Sequence, residues 1–490
     1  MIDLVLPVAI LMAGSLLVYV VARLTRSKAA TGVVALILLA VSGYIMYLLA
    51  APKPPLDETA EAVQAVPLMA VFDLNPLAIF LAVISLGLTA VVALYSIGYM
   101  QQKNIGKYYA LLLMMTGGMV GIALAGDLFN LFVMFEIMSL ASFALVAFED
   151  NWEPVEAGVK YLILSAMGSM VALLGIVLVF TWTGNLHLSV LHDSHLVPPD
   201  LALVVAALFV AGFGVKAAIV PMHTWLPDAH SAAPSGISAM LSGIVISAGL
   251  ITMIKAIGVL PGTLVGLTLP LLAVLTMFGG NLMAWVQTDL KRMLAYSSIA
   301  HMGYILAGVA VAFAAPASVG FDGMRGGLMH IMNHAVMKGG AFLCAGAIIM
   351  LVGTRDLKQI AGIGRKVPLL GISFGIFVLA LAGTPPFNGF ISKLFICKAA
   401  IGCDNWGWAL VLIVIINSFL SLFYYLPALN KVLLAREPSE QVRNASDQLP
   451  ASVVLAIFVL ALLTLALGIQ PDMGFGLVDG AARSAAALIR

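Results

Sequence analysis

Charged side chains are what this sequence has least of. Asp, Glu, Lys and Arg make up 10% of its 490 residues, against 62% hydrophobic. A water-soluble chain carries about 25% charged residues, so this one cannot cover a water-facing surface, and the bilayer is expected to be its main solvent. Charge of one sign is not in excess either. The net charge is +1, which argues against nucleic acid as a partner. Cysteine is nearly absent: Cys344, Cys397 and Cys403 form no CxxC pair, which argues against a disulfide framework or an iron–sulfur cluster. Long polar segments are missing too. The longest, near 52–75 and 432–449, leave no room for a nucleotide or redox domain, so no cofactor is expected in this chain. The GxGxxA match at Gly212, Gly214 and Ala217 lies inside an apolar run with no strand before it, a chance match.

What the sequence has in quantity is apolar runs of about 20 residues, the length that spans a bilayer as a helix. Helices are predicted near 2–23, 29–51, 76–100, 108–126, 128–148, 158–183, 200–221, 235–258, 262–284, 294–315, 324–352, 368–400, 405–431 and 450–470, fourteen in all. The fold class is therefore an all-α polytopic membrane protein. The first run is not preceded by a positive segment and ends at Arg23, Arg26 and Lys28, as a retained helix does. Loops following odd-numbered helices hold 14 Lys and Arg, including Lys103, Lys291, Arg355 and Arg436; the other loops and the tail hold only Lys53, Arg325, Arg483 and Arg490. Positive loops stay inside, so both termini are expected on the non-cytoplasmic side of the cytoplasmic membrane.

Some charges fall where lipid should forbid them. A charge at the bilayer centre costs roughly 2.5–3.5 kcal/mol on insertion scales, yet Glu136 and Lys216 lie mid-span, Lys338 follows His330 and His334 at four-residue spacing, and Lys393 follows a Pro-rich break. Successive steps of four turn a helix by only about 40°, so His330, His334 and Lys338 line one face. Two histidines at that spacing also suit a metal, but no Asp, Glu or Cys within the same two turns completes a site, and no metal is expected. A proton relay fits better, because neutral imidazole both donates and accepts. His223, His301, Ser247 and Lys255 are further relay candidates. Each has a bland alternative: Lys255, near a helix end, reaches the interface by snorkelling, and the histidines satisfy themselves locally. Glu149, Asp150, Glu153 and Glu156 read as a solvated acidic loop. Pro221 after Lys216, and Pro385 and Pro386 before Lys393, break two helices and free backbone carbonyls beside the charges. Lysine before proline in one half and after it in the other points to an inverted repeat with a transport path.

Five segments carry a resemblance: GDLFNLFVMFE (126–136), PMHTWLPDAH (221–230), DLKRMLAYSSIAHMGY (289–304), HAVMKGGAFL (334–343) and GTPPFNGFISK (383–393). The chain resembles the antiporter-like subunits shared by Mrp cation/proton antiporters (D-type), membrane-bound energy-converting hydrogenases and respiratory complex I (M/N-type). The resemblance implies fourteen helices in a single membrane domain: N-terminal helices over about 1–105, a first five-helix repeat over about 106–260, an inverted second over about 261–432, and a last helix and tail over about 450–490. It implies that Glu136 pairs with Lys216 and that His330, His334, Lys338 and Lys393 form the second half of a proton path. It further implies sister antiporter-like subunits and peripheral redox subunits as partners. One position departs from the pattern. Family members often place Lys or His in the middle of the eighth helix, where this chain has Ser247, so the link between the halves is expected to run through water or His301. A complex I-type M/N-like subunit and a stand-alone solute transporter are the alternatives to an Mrp- or hydrogenase-type proton-moving subunit.

Overall fold

The computed structural model describes residues 2–51, 71–100, 104–194, 196–260, 266, 268–403, 406–435 and 437–489. Lys53, Lys103, Arg436 and Arg490, counted above among the loop charges, lie outside them. Secondary structure among the described residues is helical, with isolated β-bridges only at Phe72–Ala125, Asp127–His187 and Asp289–Asp356.

The crossings follow the apolar runs. They are α1 (Ile2–Thr25), α2 (Lys28–Ala50), α3 (Pro76–Tyr99), α4 (Ile105–Leu124), α5 (Leu128–Val146) and α6 (Trp152–Thr183). After a break-bearing pair, α7 (Pro199–Lys216) and α8 (Trp225–Ala232), come α9 (Ser235–Gly258), α10 (Thr268–Trp285), α11 (Leu290–Ala314) and α12 (Ala317–Val352). A second interrupted pair, α13 (Pro368–Ala382) and α14 (Asn388–Ile401), precedes α15 (Gly407–Leu434), α16 (Ala451–Ile469) and α17 (Asp472–Leu488). Among the described residues, 13 helices are long and apolar enough to cross a membrane. The two half-helices α13 and α14 supply one more crossing, which makes the expected fourteen.

Polar residues start these helices where the sequence offers them. Asp127 accepts from Asn130 N at 2.7 Å and Asp289 from Arg292 N at 2.9 Å, each satisfying a first-turn donor. The acidic stretch is not all loop: Glu153 and Glu156 lie in the first turns of α6, where the helix dipole favours negative charge. The tail differs from expectation as well. Residues 472–488 form α17, whose buried Val478, Ala481, Ala482, Ala485 and Ala486 make one apolar stripe. An ion pair of 2.6 Å from Arg325 to Asp479 fastens α17 to α12.

Both breaks have a local cause. Pro221 cannot donate to the carbonyl of Ala217, four residues back, and α7 ends at Lys216. Ala218 takes the left-handed conformation there at φ 53°, a strain of about 1–3 kcal/mol. Pro385 and Pro386 likewise leave the carbonyls of Leu381 and Ala382 without helical donors, and Gly383 turns the chain at φ 83°. The packing centre lies on α9, which is buried along its length, with α11 and α12 against it. Within α9, residues Leu241–Val245 form a π-turn, and Ser242 Oγ meets Ser298 Oγ of α11 at 2.6 Å.

Candidate functional site

Lys216, the last residue of α7, is wholly buried. Its Nζ donates to the Tyr161 hydroxyl at 2.7 Å and to Ser142 Oγ at 3.3 Å. The ring centroids of Tyr161 and Phe143 lie 4.4 and 4.7 Å away, and a desolvated cation gains about 2 kcal/mol from such rings. Tyr161 stacks on Trp225, with 3.9 Å between centroids and 6° between planes. Trp225 Nε1 in turn donates to the Val215 carbonyl at 2.7 Å. The first residue of α8 is thus tied to the end of α7, and together they fix the phenol that holds the lysine.

Glu136 sits half-buried on α5 and accepts a hydrogen bond from Ser169 Oγ of α6. It is not in ion-pair contact with Lys216, although its charge acts on that lysine. The expected closed pair is therefore open in this structure. Neutral hydroxyls hold each partner instead.

The second cluster spans α11, α12 and α14. His330 Nε2 lies 2.9 Å from His301 Nδ1, and His330 Nδ1 lies 2.8 Å from Ser392 Oγ. A neutral imidazole bonded at both nitrogens takes a proton on one and releases it from the other. The His334 ring is 5.2 Å from that of His301, and both its ring nitrogens are buried without a hydrogen-bond partner. Lys338, wholly buried, donates to the Leu294 carbonyl at 2.9 Å and to Ser297 Oγ, with the Tyr425 hydroxyl at 3.5 Å. The predicted common face of His330, His334 and Lys338 is thus the face turned toward α11.

Lys393 follows Ser392 and folds back onto the break. Its Nζ donates to the carbonyls of Leu381 at 3.3 Å and Ala382 at 3.1 Å, the two that Pro385 and Pro386 leave free. It also lies 4.5 Å from the Tyr304 ring centroid. A cavity of about 440 Å³ adjoins Lys393 between α14 and α15. Asn333 Nδ2 donates to the Asn388 carbonyl at 2.9 Å and ties α12 to the start of α14.

The remaining candidates fall apart from these clusters. Lys255 does not snorkel: it is buried, and its Nζ donates to the carbonyls of Ile122, Ala123 and Ala125 at 3.0, 2.7 and 3.2 Å, capping the end of α4. Ser247 Oγ is buried without a partner on α9. His301 belongs with His330. His223 is half-buried in the turn between α7 and α8. Sequence reading missed Ser142, Tyr161, Ser169, Trp225, Ser297 and Ser392. No charge marked them; the only available signal was hydroxyls and aromatics within membrane runs beside the charged positions.

Residues 125–421 match the family described as "NADH:quinone oxidoreductase/Mrp antiporter, TM". F(420)H(2) dehydrogenase subunit N of Methanosarcina mazei is 34% identical over 81% of this chain and 82% of its own length. NADH-quinone oxidoreductase subunit N of Desulforudis audaxviator is also 34% identical, over 81% of both chains. Among solved structures, a chain of the membrane-bound sulfane sulfur reductase, an archaeal respiratory membrane complex, superposes with a TM-score of 0.86 at 26% identity, covering 99% of this chain and 98% of that one. The five motifs, the two broken helices and these likenesses agree, and the chain belongs to the membrane-spanning family of NADH:quinone oxidoreductase and Mrp antiporter subunits.

Proposed function

We propose that this chain moves protons across the cytoplasmic membrane as one subunit of a multi-subunit complex, through Glu136, Lys216, Lys338, His334, His301, His330 and Lys393. One observation carries the reading: His301, His330 and Ser392 form an unbroken hydrogen-bonded chain at 2.9 and 2.8 Å, ending beside Lys393. Neutral histidines joined in this way have one use that apolar packing cannot serve.

The first half supplies the switch. When Glu136 closes on Lys216, the counter-charge favours the ammonium; when it withdraws, the uncharged amine gains and the proton leaves. Breaking a buried pair is worth about 3–5 kcal/mol. Moving one charge against 100 mV costs about 2.3 kcal/mol, so the switch is strong enough. Lys338 and the histidines receive the proton, and Lys393 passes it outward.

The chain's relatives are named as subunit N of an F(420)H(2) dehydrogenase and of an NADH-quinone oxidoreductase. That supports redox subunits and sister antiporter-like subunits as its partners, with the driving force supplied by them. The positive loops favour both termini outside the cytoplasm. In everted membrane vesicles containing the assembled complex, Lys216→Met is expected to abolish formation of a pH gradient, read by a quenched dye. Unchanged pumping at unchanged subunit content overturns the proposal.

A further inference from the structure

Two carboxamides have no place in the row above. Asn281 of α10 and Asn417 of α15 are buried where these two helices pack together. Asn281 Nδ2 donates to Asn417 Oδ1 at 2.9 Å and to the Asn417 carbonyl at 3.2 Å. Asn417 Nδ2 donates to the Ile413 carbonyl one turn back, at 3.0 Å, which fixes the way its amide faces. Asn281 Oδ1 accepts from the Tyr424 hydroxyl at 2.9 Å. Both amides are therefore occupied at both ends, and the Tyr424 proton is committed to Asn281. Two leucines would join these helices without taking amides out of water, and hydrogen bonds between membrane helices add little to their association. Bracing alone gives a weak reason for the pair.

The pair leads to a lysine of the row. The ring of Tyr424 lies against that of Tyr425, with 4.4 Å between centroids and 54° between planes. Tyr425 is wholly buried, with its hydroxyl 3.5 Å from Lys338 Nζ and its ring centroid 5.9 Å from the same nitrogen. The Leu294 carbonyl and Ser297 Oγ, which also accept from Lys338, both belong to α11, so Tyr425 adds a contact from a different helix. A lysine stem is flexible, and contacts from two helices hold its end better than contacts from one. Lys216 is held by the same kinds of group, Ser142 Oγ and the Tyr161 phenol. There the phenol is itself fixed by Trp225; here the neighbour that fixes it is Tyr424, tied down by Asn281.

We infer that Tyr425 is a positioning residue that aims the Lys338 ammonium, and that the Asn281–Asn417 pair anchors it through Tyr424. The inference rests on the proton row proposed above and names the parts that set the geometry of one of its lysines. The phenol accepts without carrying a negative charge, so it holds Lys338 in place and leaves the amine able to release its proton. The anchor acts at a distance: it touches neither lysine nor histidine, and its effect reaches Lys338 only through the Tyr425 hydroxyl.

Tyr425→Phe keeps the ring against Tyr424 and removes only the hydroxyl. Asn281→Leu removes the anchor at nearly constant volume, while Asn281→Gln keeps both ends of the amide. In everted vesicles with the assembled complex, Tyr425→Phe is expected to slow proton movement about tenfold at unchanged subunit content, within the range for a misplaced reacting group. Asn281→Leu is expected to slow it about fivefold, and Asn281→Gln to restore it to within about twofold of the parent. In the Tyr425→Phe background, Asn281→Leu is expected to add no further loss, because both changes act through one hydroxyl. If Asn281→Leu fails to assemble, Tyr424→Phe makes the same comparison by removing only the hydroxyl that reaches Asn281. Equal slowing by the anchor change with and without the Tyr425 hydroxyl means a plain brace between α10 and α15, and overturns the anchor. Parent rates in Tyr425→Phe, with Lys338→Met inactive, overturn the positioning role and leave the row standing. If Lys338→Met also pumps normally, the row itself fails.

Discussion

The ammonium of Lys216 is held by the hydroxyl of Tyr161, at 2.7 Å, rather than by the carboxylate of Glu136. The phenol offers an acceptor without a negative charge, so in the proposed row it keeps the lysine in place while leaving it free to discharge. Trp225, stacked on the phenol and bonded to the end of α7, makes that position rigid.

Tyr161→Phe tests this directly. The ring, its stacking and its cation–π contact stay, and only the hydroxyl goes. Hydrogen bonds to charged groups are worth about 1.5–3 kcal/mol, so proton movement by the assembled complex is expected to fall at least tenfold. A dye-quenching assay on membrane vesicles reads the rate. Full activity in the variant would mean that the phenol only fills space.

Glu136→Gln separates charge from hydrogen bonding. The amide still accepts from Ser169, so packing is retained, but it offers Lys216 no counter-charge. Pumping is expected to stop. Ser169→Ala keeps the carboxylate and removes only its resting partner, with an expected loss smaller than that in Glu136→Gln. The reverse order of severity would show that Glu136 serves as a hydrogen-bond acceptor rather than as a switch.

The crossings were legible because lipid forces apolar runs, and the two breaks because proline cannot donate. The charged positions stood out for the same reason: Glu136, Lys216, Lys338 and Lys393 contrast with everything around them. Tyr161, Ser169 and Ser392 did not, since hydroxyls are common in buried helices and their roles appear only when a distant residue points at them. Lys255 shows the opposite failure. Its place near a helix end suited snorkelling, but the carbonyls it caps belong to α4, more than a hundred residues earlier in the chain. The α17 helix was hidden by its stripe of alanines, which gives little hydrophobic contrast against Asp472, Asp479 and Arg483.

Lys255→Met is expected to weaken the protein rather than its transport. Three carbonyls at the end of α4 lose their donor, at about 1–3 kcal/mol for each group left buried and unbonded. Less assembled complex, or a lower melting temperature in detergent, is the expected result, with normal pumping per complex. Lost pumping at unchanged stability would instead make Lys255 a relay.

His330→Gln asks whether the chain of hydrogen bonds conducts or merely braces. Glutamine has a donor and an acceptor with which to engage Ser392 and His301, so the contact between α11, α12 and α14 survives. What it lacks is a second nitrogen able to release one proton as the first gains another. Proton movement is therefore expected to drop by about a hundredfold, the lower range for loss of a positioned proton-transfer group, while subunit content and thermal stability hold. Ser392→Ala shortens the same chain by one link but leaves His330 bonded to His301, and is expected to cost less. Vesicle pumping measured for both variants orders them. Normal transport in His330→Gln would reduce the histidines to interhelical struts and move the proton route elsewhere in the bundle.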